Sequence, residues 1–68
     1  MDIVRGRMIK ANLVRLGLRQ MDFAAAAGVN TPAVNLIING KLLDPAKEQK
    51  IEDTIERLLK GENNENNH

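Results

Sequence analysis

Ten lysines and arginines, nine carboxylates and one histidine carry the ionisable chemistry of this chain, and there is no cysteine. That inventory is poor for catalysis. The histidine, His68, is the last residue, so a His-based metal or catalytic site is not expected, and thiolate sites and disulfides are excluded. Glu48, Glu52, Asp53 and Glu56 fall along one stretch, off its apolar stripe, with no His, Cys or phosphate-cradling loop to complement them. The segment "GVNTPAVN" lacks the spaced Gly-Lys-Ser/Thr of a Walker loop. The sequence therefore predicts no enzyme, no metal and no cofactor. What remains is a set of neutral hydrogen-bonding side chains, Gln20, Asn30, Thr31, Asn35 and Asn39, flanked by Arg19 and Lys41.

Most of these lie in "GVNTPAVNLIINGK", residues 28–41, around the aliphatic run Leu36-Ile37-Ile38. This stretch is too short for a membrane span, which needs about 20 apolar residues. It holds too many turn residues to be an ordinary buried strand. It reads as a short helix, capped by Asn30 or Thr31, with Pro32 in the first turn and Asn39-Gly40 ending it. Val34 and Ile37, three apart, face inward, and Ile38 covers the start of the next helix.

Three more helices frame it. Ile9, Leu13 and Leu16 recur at steps of four and three, one face of a helix. Gly6 is a poor interior residue, so this helix is expected to start near it and to end at Gly17, with Leu18 folding back. "RQMDFAAAAG" reads as a second, short helix ending at Gly28, with Phe23, Ala24 and Ala27 on one side. "DPAKEQKIEDTIERLLKG" is the last, capped by Asp44, begun by Pro45 and stopped by Gly61. Its stripe is Ile51, Ile55, Leu58 and Leu59. "ENNENNH", 62–68, reads as a disordered polar tail. The domain is thus 1–61, all-α, with no strand signal and no repeat.

Charge is unevenly placed. Residues 1–41 carry a net +4 and residues 42–68 a net −3. One face should attract polyanions and another repel them, unless these are ordinary solvated helix faces. Phe23 is the sole aromatic. Binders of single strands and RNA usually stack bases on several rings. If nucleic acid is the partner, duplex DNA is favoured. No signal peptide or membrane span is read, and the cytoplasm is the default location.

The second and third helices are joined by "GVN", a three-residue turn containing glycine, the spacing of a helix-turn-helix. A plain helical hairpin uses similar turns. Here further positions agree: Gln20 opens the second helix, Ala24 is small where the third crosses, Gly28 breaks the chain sharply, and Val29, Val34 and Ile37 bury the hinge. Together with Phe23 and Asn39-Gly40, this pattern resembles the lambda-repressor and Cro (XRE-like) family over roughly residues 8–41. The resemblance implies a compact four-helix domain. Many members use five helices, whereas here the fourth finishes the fold.

The resemblance also implies roles. Gln20 and Asn39 match the family's phosphate-gripping glutamine and asparagine, with Arg19 and Lys41 beside them. Thr31, Pro32, Asn35 and Leu36 fall where the recognition helix touches base edges. Leu36, on the outward face, would meet thymine methyl groups, or else pack against a partner subunit or helix. The departures are that only Thr31 and Asn35 can hydrogen-bond a base, and that no bidentate Arg–guanine pair is available. Discrimination would then be modest or lean on thymine-rich or easily bent sites.

The expected function is a duplex-DNA-binding transcriptional regulator of phage or mobile-element type, acting as a homodimer or within a larger assembly. Two alternatives stand beside it. One is the DNA-binding N-terminal end of a larger transposition or regulatory protein. The other is a protein-interaction module on the same fold, with Leu36, Leu42 and Leu43 as its surface.

Overall fold

The computed structural model describes residues 1–66 and contains four helices. They are α1 (Ile3–Leu16), α2 (Gln20–Ala27), α3 (Thr31–Ile38) and α4 (Pro45–Asn66). There is no strand among the described residues. The expected all-α class holds. α3 packs against both α1 and α2, and α4 closes the far side of α2. Among the described residues, no single helix is long and apolar enough to cross a membrane.

Local signals account for most of the boundaries. α1 ends where Gly17 takes a left-handed conformation and Leu18 donates its N–H to the Leu13 carbonyl at 2.9 Å. Leu18 then packs on the core, as its position after the glycine predicts. Asn30, not Thr31, caps α3: its side-chain oxygen accepts from the Ala33 N–H at 2.8 Å. Asp44 caps α4 by accepting from the Lys47 N–H at 3.2 Å. The core comprises Ile9, Leu13, Phe23, Ala24, Ala27, Val29, Ala33, Val34, Ile37, Ile38, Ile51 and Ile55. Thr54 is the buried polar residue, and its hydroxyl donates to the Lys50 carbonyl at 2.7 Å.

Three expectations need correction. α1 starts at Ile3, so Gly6 lies inside it and is buried. The reason is a close crossing: a Cβ on Gly6 would sit 1.8 Å from the Ile38 carbonyl oxygen and 2.8 Å from its carbon. Glycine is there to admit the backbone of α3, not to begin a helix. Ile38 itself is fully enclosed in the core, and its backbone meets α1. Gly61 does not stop α4, which continues to Asn66. It is not among the positive-φ glycines, and one helical glycine costs only about 1 kcal/mol relative to alanine. Of the expected tail, 62–66 belong to α4, and 67–68 lie outside the described residues.

One ion pair ties the first helix to the last. The Arg5 guanidinium donates from Nε to both Glu52 oxygens, at 2.9 and 3.1 Å, and from Nη2 to Oε1 at 2.7 Å. Both side chains are about one-third exposed, so the pair contributes on the order of 1 kcal/mol at most. Its value lies in joining positions 47 residues apart.

Candidate nucleic-acid interface

α2 and α3 meet at 102° across Gly28, Val29 and Asn30. That is within the about 90–120° of helix-turn-helix units. Gly28 makes the bend by adopting φ 70°, a conformation costly for any residue with a Cβ. Val29 is buried under the turn and donates its N–H to the Ala24 carbonyl at 3.1 Å. Ala33, Val34, Ile37 and Ile38 point α3 into the core. The helix can turn only one side outward, and that side carries Pro32, Asn35 and Leu36, all exposed, with Thr31 half-buried at its start. The apolar excess of residues 28–41 is therefore mostly core. Leu36 is the exception, at 40% exposure.

The amides at the two ends of this face are linked. Asn35 donates from Nδ2 to the Gln20 Oε1 at 3.3 Å. Asn39 donates from Nδ2 to the Asn35 carbonyl at 2.8 Å. The Lys10 ammonium donates to the Asn39 Oδ1. Residues from α1, α2, α3 and the turn after α3 thus form one hydrogen-bonded chain along the surface, Lys10–Asn39–Asn35–Gln20. Each amide keeps unused capacity: a side-chain carboxamide has two N–H donors and an oxygen with two lone pairs.

Sequence reasoning placed Gln20, Asn35 and Asn39 on this surface, and the fold brings them together. Arg19 and Lys41 are less closely engaged. Arg19 is exposed, and its guanidinium turns to its own helix: Nε lies 3.1 Å and Nη2 3.4 Å from the Asp22 carboxylate. That carboxylate also accepts the Arg19 backbone N–H at 3.1 Å. The guanidinium and then this N–H hold the Asp22 carboxyl below its ordinary pKa of 3.8, and the carboxylate raises Arg19 in turn. Arg19 brings no net positive charge to the surface while so paired. Lys41 is exposed, and its backbone N–H donates to the Leu36 carbonyl at 2.8 Å.

Lys10 was not anticipated. Its only sequence signal was a position off the apolar face of α1, shared with Arg7 and Arg15. Its contact with Asn39 spans 29 residues, and no local rule carries a side chain that far.

The chain matches no family model and no curated protein, and its fold matches no solved structure.

Proposed function

We propose that the protein binds duplex DNA as a transcriptional regulator, with α3 presented to the major groove. The observation that carries this reading is the linked surface just described. A helix pair at 102° turns out a face bearing Asn35 and Leu36, with Gln20 and Asn39 bracketing it. On this reading Gln20 and Asn39 hold backbone phosphates, and phosphates fix register without carrying sequence information. Thr31 and Asn35 reach base edges. Leu36 and Pro32 offer apolar contact to thymine methyls. The net +4 of residues 1–41 supplies the attraction.

The Gln20–Asn35 bond adds a consequence for specificity. With one amide N–H given to Gln20, Asn35 keeps one donor and an acceptor. Adenine presents an acceptor and a donor in the major groove, whereas guanine presents two acceptors. Adenine is the better match. One α3 with two hydrogen-bonding readers buries little, so affinities of about 10⁻⁸ M typical of specific sites call for a two-fold dimer or a larger assembly.

Selection of bound duplexes from a random pool, followed by a salt titration of the winner, tests the proposal. An enriched motif, palindromic for a dimer, and a steep fall of affinity with salt are expected. Absence of salt-dependent duplex binding would refute it. That outcome would favour the second reading, a protein-interaction module. The 81% exposure of Leu43 beside the 40% exposure of Leu36 is what speaks for it.

A further inference from the structure

Two of the arginines on the N-terminal half have their charge met within the protein, Arg5 by Glu52 and Arg19 by Asp22. Lys10 differs. It is half-buried, makes no ion pair among the described residues, and donates to a neutral amide oxygen, that of Asn39. A neutral acceptor orients an ammonium without cancelling its charge. Lys10 also shares with Gln20 the edge of a groove of about 300 Å³, walled by Leu13, Val14 and Leu18. Val14 is 80% exposed, the most exposed of the large apolar side chains that α1 turns to solvent. The groove therefore has a cation and an amide at its rim and three aliphatics along its wall.

A backbone nucleotide divides its chemistry in the same way, with an anionic phosphate beside a deoxyribose ring rich in C–H. We propose that Lys10, Gln20 and this wall form a seat for one sugar–phosphate unit of duplex DNA. Lys10 meets the phosphate, and Val14 and Leu18 meet the sugar. The proposal rests on the DNA reading above and assigns it a contact from α1. An ammonium carries three donors. Asn39 takes one, and two remain for phosphate oxygens. The Lys10–Asn39 bond also sets the Asn39 amide beside the same anion, so one phosphate is gripped from α1 and from the end of α3. Lys10, rather than the internally paired Arg19, is then the main cation of this edge.

The test uses the full chain and the duplex selected by it. Lys10→Met keeps the aliphatic stem and removes the charge, and Lys10→Arg restores the charge. Methylphosphonates replace the backbone phosphates one at a time. For the wild type, one substitution near the α1 edge should weaken binding sharply. For Lys10→Met, that substitution should have a much smaller further effect, and the slope of log affinity against log salt should become shallower by about 1. Lys10→Arg should recover the slope. Val14→Ser, at an exposed position, should weaken binding with the slope unchanged, and it gives an independent answer should Lys10→Met melt early. If the wild type binds but Lys10→Met keeps both slope and scan, or Val14→Ser binds as well as wild type, the seat is overturned. If the wild type binds no duplex in a salt-dependent way, the DNA reading itself falls, and the seat with it.

Discussion

Gly6→Ala sets helix propensity directly against packing. In an exposed helix interior, alanine gains about 1 kcal/mol over glycine. At position 6 the new methyl would lie 1.8 Å from the Ile38 carbonyl oxygen, 2.8 Å from its carbon and 3.3 Å from its Cα. All three are backbone atoms, and no rotamer change can clear them. α1 and α3 must separate by more than an ångström, opening the layer that Ile9 and Ile37 fill completely. Over-packing a well-filled core typically costs about 1–3 kcal/mol, and a backbone obstacle puts this case at the upper end. Subtracting the propensity gain leaves a net loss of about 2 kcal/mol. A 68-residue domain holds about 3–10 kcal/mol at roughly 0.05–0.15 kcal/mol per residue, so the loss is a large share. At about 4–8 °C per kcal/mol, Tm should fall by about 8–16 °C. Because Asn39 follows Ile38, the Lys10–Asn39 contact should loosen as well. Thermal melts followed by circular dichroism decide the matter. The control is Gly61→Ala, where a Cβ meets nothing within 4 Å and φ is not positive. Its Tm should hold or rise slightly. A Gly6→Ala variant as stable as wild type would show that the crossing is not tight and refute the reasoning.

Leu36→Ala removes a side chain already 40% exposed. Stability should change by less than about 1 kcal/mol, against about 2–5 kcal/mol for a core leucine. Discrimination of thymine from uracil at one position of the selected site should drop, and a large Tm loss would mean that Leu36 is structural. Asn39→Ala should weaken binding to every duplex alike in competition assays, and a changed preferred sequence at unchanged affinity would contradict its phosphate role. Asn35→Ala should bring adenine and guanine closer to parity at the position it reads, measured by single-base substitution in the selected duplex. Acid should destabilise the fold gently. Arg19 lowers the Asp22 carboxyl and Lys47 the Asp44 carboxyl below the ordinary 3.8. A depressed carboxyl contributes stability above its unfolded pKa and loses it as pH falls through the folded value. Melts in the acid range should show Tm declining below about pH 4, with the decline reduced in Asp22→Asn and Asp44→Asn.

Sequence alone determined what depends on near neighbours. Period and propensity placed four helices, and Ile9, Leu13, Phe23, Val34, Ile37, Ile51 and Ile55 are all core as their spacing predicts. Gly17, Gly28 and Gly40 take the positive φ expected of residues that end helices. Asp44 caps where a short polar side chain precedes a proline, and of the two caps the sequence allows for α3, Asn30 is the one used. The inward side of α3 followed from its period, and with it the outward set Pro32, Asn35 and Leu36. Tertiary structure decided what depends on distant segments. Gly6 reads locally as a weak helix residue, and only the approach of Ile38 gives it a purpose. Lys10 is one of several basic residues on α1 until the crossing with α3 sets it against Asn39. Arg19 is a local exception: its partner Asp22 lies only three residues on, within one turn of α2. Gly61 has the composition of a stop but no neighbouring residue that makes it leave the helix. Propensity and capping act within a turn or two of the chain. The charge state and reach of a surface side chain depend on which other helix comes to lie beside it.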